Sequence, residues 1–165
     1  MPSKDYVYKT FGENEECVAT VHYNDTDKSS KAIGMHSLRT HALEPEPYQT
    51  HDFIAIASHG GAWCAGWKEL IPSGQIEWLI KNGFVVVAYN YRLCPNVSLM
   101  EGPIGDTRVV YHWSRNTLPR LMKRDTGLDV DGERIVALGG SAGGTLAMVL
   151  VCISFRAGII TSFMN

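Results

Sequence analysis

Arg134-Ile135-Val136-Ala137-Leu138-Gly139-Gly140-Ser141-Ala142-Gly143-Gly144 joins a continuous apolar run to a glycine-rich turn built around one serine. The run is too short for a helix, and its length and branched residues predict a buried strand. Residues from Ala142 to about Cys152 are apolar enough to predict a helix, so the serine sits on a strand-to-helix turn. The same grammar repeats upstream. Phe53-Ile54-Ala55-Ile56-Ala57 and Phe84-Val85-Val86-Val87-Ala88-Tyr89 predict two further strands. Between them, Ser73 to Asn82 carries Ile76, Leu79 and Ile80 at helical spacing and stops at Asn82-Gly83. A second helix is expected over Ile104 to Arg120, ending before or around Pro119. Strands that are apolar on both faces and alternate with helices imply an α/β protein whose mostly parallel sheet is covered by helices. Ahead of these units, Tyr6 to Phe11 and Cys17 to Tyr23 alternate apolar with polar and predict two antiparallel strands. Asn24 to Asp52 reads as a long polar loop, unusual in a compact domain.

The turn around Ser141 has chemical consequences. A serine hydroxyl is a weak nucleophile until a base takes its proton. A tight strand-to-helix turn lifts such a hydroxyl above the sheet, and Gly139 and Gly143 leave room for the backbone to bend so sharply. Ala142, at the helix N-terminus, offers its N–H to the negative oxygen formed when an acyl carbon is attacked. The competing readings are a structural serine in a glycine-rich turn and a phosphate cradle. Neither the dinucleotide glycine spacing nor a P-loop lysine is present. Oxyanion stabilisation needs at least two converging donors. The small-residue turn His59-Gly60-Gly61-Ala62-Trp63, directly after the Phe53 strand, is the partner loop this chemistry requires. His59 lies far upstream of Ser141 and is read as holding this loop, not as the base.

The chain resembles the hormone-sensitive-lipase-like branch of the α/β-hydrolase fold. The likeness rests on His59-Gly60-Gly61-Ala62-Trp63, on Tyr91-Arg92-Leu93-Cys94-Pro95 and on the Arg134–Gly144 stretch, and it spans roughly Val7 to Leu150. It implies a carboxylic-ester or related acyl hydrolase with Ser141 as nucleophile. By the same resemblance, Gly61 and Ala62 join Ala142 in the oxyanion hole, with Gly60 shaping the loop. Ala62 replaces a commoner third glycine, which a backbone donor tolerates. Tyr91 to Pro95 is implied to be a structural turn beneath the site. Trp63 and Trp67 either line the substrate pocket or pack the loop against the body. An arylformamidase, acting on N-formyl amides, is the nearest rival because that group also uses an H-G-G-x-W loop.

Other features narrow the partners. The formal net charge of −2 among 165 residues offers no electrostatic reason to bind nucleic acid. A small-molecule ester or acyl substrate is expected, without a cofactor and without a metal. Asp129 and Asp131 suggest part of a calcium loop, but the bidentate glutamate it needs is missing, and they read as turn residues. Asp106, in the first turn of its helix, is explained by the helix dipole. Cys17, Cys64, Cys94 and Cys152 form no C-x-x-C pair, which fits reduced thiols in a cytoplasmic protein. The N-terminus lacks the apolar core of a signal peptide. No stretch reaches the roughly 20 apolar residues of a membrane span.

Residues 142–165 contain no Asp, Glu or His, and all six histidines (His22, His36, His41, His51, His59 and His112) precede Ser141. In the fold that the resemblance implies, an acid and then a histidine follow the nucleophile. The expectation is therefore a single, incomplete domain over 1–165, the N-terminal half of an α/β-hydrolase sheet. Loss of the base alone costs around 10⁶ in kcat in a measured protease. A catalytically inactive relative acting as a binding module, or a half completed by another chain, are the non-enzymatic and split readings. With the Ile135 strand left as an open edge, the isolated chain is expected to aggregate or unfold in part.

Overall fold

The middle strand of the parallel part of the sheet is Asp52–Ser58, here β3, whose residues from Ile54 to Ser58 are all buried. The computed structural model describes residues 1–13, 15–24 and 52–156, with side chains through residue 152. The polar segment between Asn24 and Asp52 therefore lies almost wholly outside the described residues, as does the end of the chain. β1 is Ser3–Phe11 and β2 is Glu15–His22. Phe84–Tyr89 forms β4 and Val130–Gly139 forms β5. The strand order is β1-β2-β4-β3-β5. β4 and β5 flank β3 and run parallel to it, while β1 pairs with β2 and β2 with β4 in antiparallel sense. The α/β sheet is thus mixed, a three-stranded parallel core extended by a hairpin. β5 occupies an edge among the described residues, with Val136 and Leu138 partly buried.

Strand β5 begins earlier than its apolar run. Asp131 lies inside it, opposite Phe53, and its side chain accepts the Glu133 backbone N–H at 2.9 Å, a turn-like contact at the irregularity where the register with β3 shifts. Asp129 precedes the strand and pairs with Lys123.

Helices cover the two faces unequally. α1, Ser73–Lys81, packs Ile76, Leu79 and Ile80 onto Ala55, Ala57, Val86 and Ala88. The opposite face carries α2 (Pro103–Asn116), α3 (Leu118–Thr126) and α4 (Ala142–Arg156). There Val110, Tyr111, Leu118, Met122, Leu146 and Leu150 close over Ile54, Ile56, Val85, Val87 and Tyr89. The helix expected over Ile104 to Arg120 stops at Asn116, before Pro119, and a separate helix follows from Leu118. Pro119 falls in the first turn of α3, where its missing N–H costs least, so it opens a helix instead of closing one. α3 ends at Gly127 in the left-handed conformation, φ 78°.

A buried hydroxyl chain ties β3 to this helical layer. Ser58 Oγ lies 2.8 Å from Tyr89 Oη, which lies 2.7 Å from Thr107 Oγ1 on α2. Tyr89→Phe leaves Ser58, 3% exposed, without its phenol partner. A loss of about 1–3 kcal/mol is expected, since an unsatisfied buried polar group keeps its desolvation cost. Urea unfolding of Tyr89→Phe beside the wild type checks it, and equal midpoints would rule out a stabilising role for this chain.

Candidate active site

Ser141 stands between β5 and α4 with φ 55°. A left-handed serine carries a steric cost that surrounding structure must hold in place. The turn is closed by Gly143 N–H donating to Gly140 O at 2.9 Å and Gly144 N–H donating to Ser141 O at 2.9 Å. Its glycines are required by close approach. A Cβ on Gly143 would fall 2.2 Å from Ser58 O and 2.8 Å from His59 O, and one on Gly139 would fall 2.7 Å from Ser58 O. The start of α4 is therefore pressed against the end of β3, and the side chain of Ser141 is left exposed.

The second loop leaves β3 at His59. Here Gly61 has φ 123°, and Ala62 and Trp63 have φ 52° and 62°. Cys64 and Ala65 N–H both donate to Gly61 O at 3.0 Å, coiling the loop into a tight turn. A Cβ on Gly61 would lie 1.9 Å from Ala65 O. The two loops meet: a Cβ on Gly60 would sit 3.1 Å from Gly140 O and 3.5 Å from Ser141 Cβ. Ala62, Trp63 and Ser141 are the non-glycine residues with left-handed backbone among the described residues, and all three belong to these two loops. Strained backbone concentrates where a site must be held in one shape.

His59 is 2% exposed. Its ring stacks on Tyr91 at 4.2 Å and 4°. Nδ1 lies 2.8 Å from Gly60 O, which makes Nδ1 the protonated nitrogen, and among the described residues the buried Nε2 has no partner. Burial pushes its imidazole below the usual histidine range, so the ring stays neutral at pH 7. Among the described residues no hydrogen bond joins a histidine to Ser141.

A cavity of about 290 Å³ opens beside Ser141. Its walls include His59, Gly60, Leu70, Ile71, Gln75 and Leu138. Trp63 and Trp67 are not among the walls of this cavity. Trp63 packs, half-buried, against the larger core cluster, and Trp67 is 55% exposed. The cavity residues between Leu70 and Gln75 had no sequence signal beyond proximity to the His59 loop.

Asp106 departs most from its reading as a helix-dipole carboxylate. It is fully buried. It receives Lys9 Nζ from β1, and the Arg92 side chain at 2.8 and 3.0 Å. It also accepts the Arg92 backbone N–H at 2.9 Å. Burial alone would raise its pKa, but the Arg92 and Lys9 hydrogen bonds outweigh burial and hold the carboxyl below its usual range. The dipole is a minor contributor beside two direct cations. In the sequence the only hint was an acidic residue sharing the buried helix stripe of Pro103, Thr107 and Val110.

A parallel core with helices on both faces and a left-handed serine between strand and helix defines an α/β-hydrolase. The BD-FAE family profile, which describes an α/β-hydrolase-type family, matches residues 43–158, and the chain belongs to that family. Among curated proteins it is similar to the non-reducing polyketide synthase nvfA of Aspergillus novofumigatus, 44% identical over 97 residues. That match covers 59% of this chain and 4% of the synthase. The non-reducing polyketide synthase ascC of Acremonium egyptiacum is 35% identical over 103 residues, 62% of this chain and 5% of that protein. The chain thus spans only a small fraction of the curated relatives it matches. Among solved structures, the butyrate-bound esterase Est2 of Thermogutta terrifontis superposes with a TM-score of 0.59 at 23% identity. The superposition covers 88% of this chain and 42% of the esterase. At that identity the likeness establishes the fold. Among the described residues no helix is long and apolar enough to cross a membrane.

Proposed function

We propose that the chain carries the nucleophile and oxyanion donors of a hydrolase acting on carboxylic esters or related acyl groups. Ser141 Oγ attacks the acyl carbon, and the N–H groups of Gly61, Ala62 and Ala142 receive the negative oxygen that forms. Gly60 lets the loop approach Ser141. The observation that carries this reading is the meeting of two left-handed loops, Gly61–Trp63 and Ser141, across the end of β3. A structural serine has no need of a strained, exposed perch facing a second strained loop. The likeness to an esterase that holds butyrate supports a small acyl group, and the name of the curated relatives suggests polyketide acyl chains as a further class to try.

The base lies outside the described residues in this reading, since no described histidine reaches Ser141. A neutral external base should stand in for it. Incubation with a fluorophosphonate and added imidazole is expected to phosphonylate Ser141, with a rate that rises with imidazole and is abolished in Ser141→Ala. Mass spectrometry of the digested chain locates the adduct. A wild-type chain that stays unlabelled at Ser141, or labels no faster than after denaturation, would show that this serine is not a nucleophile.

A further inference from the structure

We infer that the turn from Tyr91 to Cys94 is a positioning clamp for the loop facing Ser141, and that Tyr91 is its principal positioning residue. The inference rests on the reading of Gly61 and Ala62 as oxyanion donors, and it adds a residue that sets their location without touching substrate.

The clamp grips the loop at both ends. At the near end, Tyr91 Oη donates to His59 O at 3.1 Å while the Tyr91 ring lies flat on the His59 ring. At the far end, Cys94 N–H donates to Trp63 O at 2.9 Å. The residues caught between, Gly60 to Ala62, are those that must hold their N–H groups in place. Left alone, they have little reason to do so. Gly60 and Gly61 have no side chains to pack, and Gly61 and Ala62 are exposed. Ala62 and Trp63 hold left-handed backbone that an unconstrained loop would relax.

The turn itself is rigidly set. Between its two gripping points, Arg92 is bound to the buried Asp106 through its backbone N–H, Nε and Nη2. Tyr91 is 4% exposed. Burial pushes its phenol up to about 12, so it remains a protonated donor across the working pH range. Preorganised donors act strongly because they need not move during reaction, and removal of one typically costs about 10²–10³ in rate. Loosening two of them together by a fraction of an ångström is expected to cost about tenfold to a hundredfold.

The test compares Tyr91→Phe, which keeps the stacked ring and deletes the donor, with Tyr91→Leu, which deletes both. Two measurements are made on the whole chain: hydrogen exchange of the Gly60–Ala65 amides, and the imidazole-assisted rate of Ser141 phosphonylation. The expected result for Tyr91→Phe is at least tenfold faster exchange across Gly60–Ala65 with unchanged exchange in β3 and β4. Phosphonylation should slow by about tenfold or more, and Tyr91→Leu should exceed Tyr91→Phe in both. Unchanged exchange in the loop overturns the clamp. So does exchange that accelerates equally through β3 and β4, which would make Tyr91 a general core residue. If loop exchange alone accelerates but the wild type takes no label, the clamp stands and the nucleophile reading of Ser141 fails. Should Tyr91→Leu not fold, Tyr91→Phe decides the matter by itself.

Discussion

Asp106→Ala is expected to destabilise the protein by about 3–5 kcal/mol, the range found when one partner of a buried ion pair is removed. For a chain of this size that corresponds to a melting temperature lower by roughly 6–20 °C. The cost does not come from losing an attraction alone. Lys9 and Arg92 would keep their positive charges while losing the carboxylate that both approach, and the Arg92 backbone N–H would lose its acceptor. The same carboxylate joins β1 to α2 and to the turn after β4, so its removal loosens three elements at once. The pH dependence follows from the direction of its shift. A carboxyl held below its ordinary value in the folded state stabilises the fold fully above the unfolded pKa of about 3.9, and that stability disappears as pH falls through the lower folded value. The gap between wild type and Asp106→Ala should therefore be constant from neutral pH down to about 5 and close below about 4. Thermal melts by circular dichroism at pH 7, 5 and 3.5 measure it. A variant that melts with the wild type at pH 7 would mean that the buried cations find other partners.

The second large effect is expected from Gly143→Ala. The new methyl would lie 2.2 Å from Ser58 O and 2.8 Å from His59 O, and neither is a flexible side-chain end that can swing away. Either α4 lifts off β3 or the end of β3 is pushed back with the loop that follows. Overpacking usually costs about 1–3 kcal/mol, and contact with two backbone carbonyls places this case at or above the upper figure, near 3 kcal/mol. Both routes of relief move Ser141 relative to Gly61 and Ala62, so labelling of Ser141 is expected to fall together with stability. Gly140→Ala is the control. Its Cβ would meet nothing within 4 Å, and a change below about 1 kcal/mol is expected despite its position one residue from Ser141. Chemical denaturation of the two variants beside the wild type separates a steric effect at Gly143 from general sensitivity of the turn. If Gly143→Ala and Gly140→Ala behave alike, the close approach of α4 to β3 is not what holds this site.

Much of this architecture was legible in the chain because its signals are local. Apolar runs at Phe53, Phe84 and Ile135 marked three strands. Ile76, Leu79 and Ile80 marked the buried stripe of α1, and Asn82-Gly83 marked its end. The turn around Ser141 was legible for the same reason: a serine among glycines between a strand and a helix states its geometry within five residues. Where the reading departed, the deciding interaction was distant in sequence or ambiguous in place. Pro119 can end a helix or open one, and packing of Leu118 and Met122 beneath β5 made it the opening of α3. Asp106 has an adequate local explanation at a helix start, and only the return of β1 beside α2 supplies Lys9.

By itself the sequence determined that this is an α/β chain with a serine raised on a tight turn and a small-residue loop after an earlier strand. Those features depend on periodicity, on glycine where the backbone must bend, and on order along the chain, all of which survive without coordinates. Only the tertiary structure decided that the two loops face one another across the end of β3, and that the Tyr91–Cys94 turn grips one of them from both ends. It also decided that a single buried carboxylate anchors that turn. Those facts depend on residues many positions apart, brought together when β3 is sandwiched between β4 and β5, and no local pattern encodes which carbonyl a distant phenol will meet.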